Sequence, residues 1–265
     1  MDLSSLLTSV EEIAVETGSF IRSQGEGLTA GDIHSKGVHD YVTRVDKESE
    51  RMLVKHLSAL LPGSGFLTEE KTTEQKQQSY TWIIDPLDGT TNFIHGSPPY
   101  AVSIALQHDA ETVLGVVYEI TLDELFAVAG EGVPTLNGKE IHTSRVASLN
   151  GVLMATGFPF INFERIDPYM EVLKRFMVET QGVRRLGSAA TDLAWVACGR
   201  YEGFYEYNLH PWDVAAGALL VRRAGGVVQD FRQGEDYLFG REIIAAAPGV
   251  FEEIAGIIRE YLGPR

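Results

Sequence analysis

Two carboxylates three residues apart in a tight turn, followed by small hydroxyl side chains, stand out in Asp85-Pro86-Leu87-Asp88-Gly89-Thr90-Thr91-Asn92. Carboxylate oxygens and a backbone carbonyl are hard ligands of the kind Mg²⁺ takes. That ion usually keeps waters and shares its remaining positions with phosphate oxygens. Pro86 fixes φ and directs the turn, and Gly89 lets the backbone approach a ligand closely. The N–H groups of Gly89, Thr90 and Thr91 then form a cradle for an anion, more so if a helix starts there. The chemistry predicted is metal-assisted handling of phosphate. The same pattern also makes an ordinary capped turn, so the surrounding elements decide.

Trp82-Ile83-Ile84 is a short apolar, β-branched run that reads as a buried strand. It puts both aspartates at a carboxyl end, where α/β and α+β folds often bind ligands. Phe66-Leu67-Thr68-Glu69-Glu70 repeats the design, a short strand ending in acidic residues. His210-Pro211-Trp212-Asp213 opens an apolar helix over 214–223, with Asp213 in its first turn, where a carboxylate also serves as a plain cap.

Before the turn, Leu3, Leu6, Leu7, Val10, Ile13, Ala14, Phe20 and Ile21 share one face of a helix that Gly25 and Gly27 end. A second helix is expected from about Lys47, with Met52, Leu53, His56, Leu57 and Leu60 inward, up to Pro62-Gly63. The polar stretch Lys36-Gly37-Val38-His39-Asp40 between them reads as a mobile loop. Strands are expected over 101–106, 112–118 and 124–128, with Asn137-Gly138 as a hairpin turn. Beyond about Ser144, helices and strands alternate, which suggests a second, more parallel layer. Asp167-Pro168 reads as N-cap and N1 of a helix to about Thr180. A strand over 184–186, a helix over 189–198, a strand over 201–205 and, past Gly225-Gly226, a strand over 227–231 follow. The chain divides on this reading into residues 1–144, an α+β half carrying metal and phosphate ligands, and residues 145–265, an α/β half completing the site.

A chain of 265 residues with 44% hydrophobic and 22% charged residues is ordinary for a globular protein. The acidic, amphipathic start and the lack of a long apolar run give cytoplasmic residence as the expectation. The single cysteine, Cys198, follows the apolar run Leu193-Ala194-Trp195-Val196-Ala197 and reads as a buried structural thiol. A formal charge of −15 argues against non-specific binding to nucleic acid or anionic membrane. Clustered carboxylates would also repel a phosphate substrate unless divalent cations neutralise them, so metal is expected to serve binding as well as chemistry.

The 82–92 block, and the block from Trp212-Asp213-Val214-Ala215-Ala216-Gly217 to Ala224-Gly225-Gly226, resemble the two signatures of the inositol monophosphatase family of Mg²⁺-dependent phosphatases. Asp40-Tyr41-Val42-Thr43-Arg44-Val45-Asp46 and Gly187-Ser188-Ala189-Ala190 agree with it, in the same order and spacing, over essentially the whole chain. Thr156-Gly157-Phe158-Pro159-Phe160 and Leu209-His210-Pro211-Trp212-Asp213 resemble the bacterial branch. The resemblance implies an α+β fold, the layered αβαβα sandwich of the sugar phosphatases, with an N-terminal antiparallel sheet and a C-terminal mostly parallel sheet.

It also implies roles. Glu69, Asp85 and the Leu87 carbonyl would bind one Mg²⁺, and Asp85, Asp88 and Asp213 a second, with a third, weaker site using Glu69 mainly through waters. Two metals suit phosphoester hydrolysis because one activates the attacking water and the other stabilises the leaving oxygen. Thr68 stands where many relatives have Gly, and Glu70 is an adjacent competitor to Glu69. Asp46 and Thr90 match a pair that orients the water, Asp46 being equally suited to capping the second helix. Lys36 matches a loop lysine that helps hold metal or phosphate, or is simply solvated. Glu206 matches the glutamate that accepts inositol hydroxyls, and Gly187, Ser188, Ala189 and Asp88 line that ring. Arg184 and Arg185 read as exposed charges or as a second-phosphate site, and His210 as a packed or rim residue. No phosphatase loop of the cysteine type is present, since Gly199-Arg200 follows Cys198 directly.

The activity implied is hydrolysis of a phosphate monoester on a small polyol, myo-inositol 1-phosphate first. A fructose 1,6-bisphosphatase or a 3′-nucleotidase acting on adenosine bisphosphate is the alternative within the enzyme class. A different class is a regulatory protein that binds the transcription machinery on the same fold. The family resemblance further implies a homodimer and sensitivity to lithium.

Overall fold

The central strands of the first half are apolar on both faces and stack into a seven-stranded sheet whose faces helices cover. The computed structural model describes residues 2–25, 31, 33–37, 40–159 and 162–263, and for 33–37 and 40–42 the backbone alone. The elements in chain order are α1 (Leu3–Gly25), β1 (Ile33–Gly37), β2 (Asp40–Thr43), α2 (Arg44–Leu60), β3 (Gly65–Thr68), β4 (Tyr80–Asp88), the short α3 (Thr90–Ile94), β5 (Ala101–His108), β6 (Glu111–Glu119), β7 (Glu124–Ala129), β8 (Thr135–Leu136) and β9 (Lys139–Glu140). They continue with β10 (Leu153–Thr156), α4 (Ile166–Glu179), β11 (Gly182–Arg184), α5 (Ala189–Ala197), β12 (Gly203–Tyr207), α6 (Pro211–Arg223), β13 (Val227–Gln229), β14 (Glu242–Ala246) and α7 (Phe251–Leu262).

The first sheet runs β3-β4-β5-β6-β7-β8-β9 and is antiparallel except for the parallel pair β3 and β4. The second runs β11-β10-β12-β14-β13. Its first three strands are mutually parallel, as the alternation of helices and strands suggests, and β14 and β13 join antiparallel. Three apolar clusters make five layers of these parts. Leu53, Leu57, Trp82 and Ile104 seal α1 and α2 on the outer face of the first sheet. Leu193, Ala216, Leu220, Ile83 and Phe204 place α5 and α6 between the sheets. Met154, Phe176, Tyr205 and Ile254 hold α4 and α7 on the far face of the second. Among the described residues no helix is long and apolar enough to cross a membrane.

Several boundaries differ from the sequence expectation for local reasons. Of the polar stretch expected as a loop, Lys36 and Gly37 end β1 and Asp40 opens β2, which pair antiparallel with Ile33 opposite Thr43 and Gly37 opposite Asp40, while Val38 and His39 lie outside the described residues. Helix α2 starts at Arg44 because Thr43 caps it, its hydroxyl accepting from the N–H of Val45 and Asp46. Asp46 is therefore the third helical residue of a capping box and not the cap itself. Helix α4 starts before Asp167 because the Tyr169 N–H already bonds the Arg165 carbonyl, so Asp167 and Pro168 lie within its first turn. Strand β11 ends at Arg184, where pairing with Ala155 stops. Strand β12 starts only at Gly203, since the N–H groups of Arg200 and Tyr201 first close α5 on the Trp195 carbonyl. Strand β13 stops at Gln229 because the Asp230 carboxylate folds back to accept from Arg232 and Gly234, each at 2.7 Å.

The middle layer sits unusually close to the first sheet at one glycine. A Cβ on Gly115 of β6 would stand 2.9 Å from the Ala216 carbonyl oxygen and 3.1 Å from its Cα. Gly115→Ala is expected to destabilise the protein by about 1–3 kcal/mol through overpacking. A urea unfolding midpoint equal to that of the unaltered chain would contradict this packing.

Candidate active site

A regular strand would point residues 85 and 88 to opposite faces, because side chains alternate. In β4 they share a face. Asp85 pairs with Ser103 and Asp88 with Ala101, so three steps on β4 oppose two on β5 and the extra residue forms a bulge. Pro86, which cannot donate to a ladder, sits inside that bulge. The Asp85 carboxylate accepts the Leu87 N–H at 2.9 Å, which fixes the bulge from within. The parallel register of β3 and β4 brings Glu69, just past β3, to the same end of the sheet, with its N–H on the Ile84 carbonyl at 3.3 Å. From the middle layer, α6 presents Asp213 in its first turn, where its carboxylate accepts the His210 N–H at 2.7 Å. The Ser103 hydroxyl donates to the Trp212 carbonyl at 3.2 Å and ties α6 to the strand beside Asp85.

Four acidic side chains from β3, β4 and α6 thus converge. Burial pushes the Asp85 carboxyl well above the usual range, and the charges of Glu69, Asp88 and Asp213 add to it. Asp213 is raised in the same way, first by burial and then by Asp88. Asp88 is raised to about 6 by burial, against the opposing hydrogen bonds of Ser188 and of the Ala190 and Ala189 N–H groups. Carboxylates crowded in a low-dielectric site repel one another unless protons or cations intervene. Among the described residues no three His, Cys, Asp or Glu side chains already close on one ligand point. The donor set is all oxygen, carboxylate plus the Leu87 carbonyl, which fits Mg²⁺ and not a softer ion.

Beside the cluster, α3 opens at Gly89, whose φ of 94° is left-handed and whose Cβ position would lie 3.0 Å from the Pro99 carbonyl oxygen. The first N–H groups of a helix lack acceptors within it, so Thr90 and Thr91 present donors at this end. The Thr90 hydroxyl lies 2.9 Å from Asp46 Oδ1 and 3.1 Å from the Leu87 carbonyl. One proton serves two acceptors there, and the hydroxyl oxygen keeps lone pairs for a further donor. Asp46 is held rigidly, its Oδ2 accepting the Thr43 N–H at 2.8 Å and the Thr43 hydroxyl at 2.5 Å. Burial raises its pKa although these bonds oppose the rise. Closing the capping box of α2 and fixing Thr90 are therefore done by the same carboxylate.

The second half meets the first through Asn92, whose amide donates to the carbonyls of Pro99 and Leu186, both at 2.8 Å. That contact seats Gly187 and Ser188. Ser188 caps α5 and also donates to Asp88 Oδ2 at 2.6 Å, beside the Ala190 N–H at 2.7 Å. Ser188 and Ala189, expected as a wall of the ring pocket, are bonded to Asp88, with Ala190 added. Glu206 is buried, 7% exposed, and burial lifts its carboxyl to about 8, with Arg185 opposing and Asp88 reinforcing. A Cβ on Gly157 would fall 2.0 Å from that carboxylate, so only glycine admits Glu206 here. Arg185 lies 5.7 Å from the Phe158 ring, and its charge reaches Asp88, Asp192 and Glu206. Arg184 and Arg185 are both exposed, as strand-end charges are, and it is the charge of Arg185 that reaches the carboxylates of the site.

Two of the buried carboxylates that escaped the sequence reading bear on the site. Asp192 on α5 is 1% exposed, and its Oδ1 has no hydrogen-bond partner among the described residues. Glu50 on α2 is fully buried. The spacing of Asp46 and Glu50, one helical turn apart, was the available signal for the second. The Lys36 side chain lies outside the described residues. His210 stacks on Trp212 with ring centres 4.6 Å apart, as a packed rim residue does. Cys198 is partly buried and burial raises its thiol pKa, which fits a structural role.

Comparison with known proteins agrees with this geometry. The model of the inositol monophosphatase family matches residues 2–262. The chain is 40% identical over 259 residues to the Nus factor SuhB of Escherichia coli, covering 97% of each chain. It is 38% identical over 267 residues to an inositol-1-monophosphatase of Mesorhizobium japonicum, covering all of both. The crystal structure of the extragenic suppressor protein suhB from Bartonella henselae superposes with a TM-score of 0.90 at 35% identity, over 97% of this chain and 99% of that one. The sequence signatures, the layered fold and these relatives together show that the chain belongs to the inositol monophosphatase family, whose members are generally Mg²⁺-dependent.

Proposed function

We propose that this protein hydrolyses the phosphate monoester of a small polyol, with myo-inositol 1-phosphate as the first substrate. The observation that carries the reading is the setting of Asp88. One of its oxygens is tied to Ser188 and Ala190, it shares a face of β4 with Asp85, and it lies within the field of Glu206. Glu69, Asp85, Asp88, Asp213 and the Leu87 carbonyl would hold Mg²⁺, which would supply the positive charge an anionic ester needs and lower the pKa of the attacking water. We assign two such ions, with a third and weaker position near Glu69. Thr90, fixed by Asp46, orients the water by accepting one of its hydrogens. The N–H groups of Gly89, Thr90 and Thr91 face the phosphate, and Glu206 receives polyol hydroxyls as a bidentate acceptor when ionised.

A boundary near residue 144 divides the two halves on this reading, supported by the first sheet's strands ending at Glu140 and the second's beginning at Leu153. The homodimer and the lithium sensitivity of the resemblance are retained as proposals. Arg185 supports the bisphosphate alternative, since a guanidinium beside Glu206 can take a second phosphate. Side-by-side phosphate release from myo-inositol 1-phosphate, fructose 1,6-bisphosphate and adenosine 3′,5′-bisphosphate separates these. Preference for the inositol ester is expected, and preference for either bisphosphate moves the assignment from Glu206 to Arg185. The identity to a Nus factor supports a second reading, in which the same fold binds the transcription machinery; silence on all three esters would favour it.

Gly157→Ala tests the Glu206 assignment without altering any charge. The new methyl must displace the Glu206 carboxylate, so KM for the inositol ester is expected to rise by about tenfold, the value of one hydrogen bond to a charged group. A KM within error of the unaltered protein would show that Glu206 does not hold the polyol.

A further inference from the structure

We infer that Glu50 is the positioning residue for Glu69, holding the loop that carries it into the acidic cluster. Helix α2 presents Asp46 and Glu50 four residues apart on one face. Asp46 reaches Thr90, and Glu50, fully buried, reaches the segment that follows β3. Glu50 Oε2 accepts the Glu70 N–H at 2.6 Å, and Oε1 accepts both the Thr72 N–H and the Thr72 hydroxyl at 2.6 Å. Between those two N–H groups Lys71 has a left-handed backbone with φ of 53°. Successive N–H groups turned inward by such a residue form a nest for an anion, and here the anion is a side chain of the same protein. These are short, charge-assisted bonds, and three donors would be stranded without the carboxylate.

Glu69 is thereby held from both sides. Its own N–H is on the Ile84 carbonyl of β4, and the next residue is on Glu50. Thr68 is clamped as well, its N–H donating to Gln75 Oε1 at 2.7 Å and its hydroxyl accepting from Gln75 Nε2 at 3.0 Å. The loop is thus closed onto α2 and onto its own base, with Glu69 at the point where the closures meet. One face of α2 sets both the hydroxyl that orients water and a carboxylate of the metal cluster. Partners behind a ligand typically change metal affinity about 10–100-fold when removed.

The inference rests on Glu69 being a metal ligand, so the test reads metal binding directly. Mn²⁺ binding is measured by electron paramagnetic resonance for the unaltered protein, Glu50→Gln and Glu50→Asp, with circular dichroism to establish that each is folded. Glu50→Gln turns one acceptor into a donor that opposes an N–H. Glu50→Asp keeps the charge and shortens the reach. Both are expected to weaken Mn²⁺ about tenfold, with turnover recovered at higher Mg²⁺ and KM for the ester unchanged. Full affinity in Glu50→Asp alongside a loss in Glu50→Gln would assign the effect to charge and overturn positioning, as would full affinity in both. If neither variant folds, Thr72→Val decides, since it removes one bond and leaves Glu50: weaker Mn²⁺ binding supports the inference and equal binding overturns it. No Mn²⁺ binding by the unaltered protein would instead remove the metal-site reading on which the inference stands.

Discussion

Asp88→Asn is expected to lower Mg²⁺-dependent phosphate release by about 10²–10³-fold, roughly 3–4 kcal/mol of transition-state stabilisation, while the protein stays folded. The asparagine oxygen can still accept from Ser188 and the Ala190 N–H, which donate to Asp88 Oδ2 at 2.6 and 2.7 Å. Its amide nitrogen must then face the cluster, where a donor repels a cation. Stability should move the other way. Burial raises the Asp88 pKa to about 6 from the ordinary aspartate value of 3.8, so ionising this group costs stability in the absence of divalent ions. That cost is absent below about pH 3.8, grows as pH rises through about 6, and is complete above it. With chelator present, Asp88→Asn should melt with the unaltered protein at pH 4 and above it at pH 8. Turnover unchanged by the substitution would refute the ligand assignment.

Thr90→Val carries the second large effect. The side chains are nearly the same shape, so the change removes one hydroxyl from between Asp46 Oδ1 and the Leu87 carbonyl. If that hydroxyl orients the attacking water, kcat should fall about 10²-fold with KM little changed, within the range lost when a positioned proton-handling group is removed. Asp46 Oδ1 loses a partner as well, and a stranded buried acceptor costs about 1–3 kcal/mol in unfolding free energy. Thr90→Ser should restore most of both. A variant less stable yet fully active would reduce the Asp46–Thr90 pair to a structural link.

These two residues lay within reach of sequence reasoning because their chemistry is local. An apolar β-branched run followed by Asp-Pro-x-Asp-Gly gives β4 and the acidic turn, and Pro86 hints at the bulge that puts Asp85 and Asp88 on one face. His210-Pro211-Trp212-Asp213 gives α6 with Asp213 in its first turn. Glu50 was marked only by its spacing of one helical turn from Asp46, a weak signal because a glutamate on an amphipathic helix is ordinarily solvated, and only the fold brings the 70–72 backbone onto it. The close approach of Gly157 to Glu206, itself named from the sequence, likewise depends on the fold, as does the packing of Arg185 near Phe158. Strands β10 and β14 and helix α7 carried too little punctuation to be assigned individually. The β1–β2 hairpin was hidden because its polar sequence lacks the alternation that marks a half-buried strand.

The most direct test of a metal-dependent phosphatase site is phosphate release from myo-inositol 1-phosphate as Mg²⁺ is raised from chelator to millimolar concentrations. The placement of Glu69, Asp85, Asp88 and Asp213 predicts no release in chelator and a saturable rise with Mg²⁺. Release that persists in chelator, or none at any Mg²⁺ concentration, would contradict it.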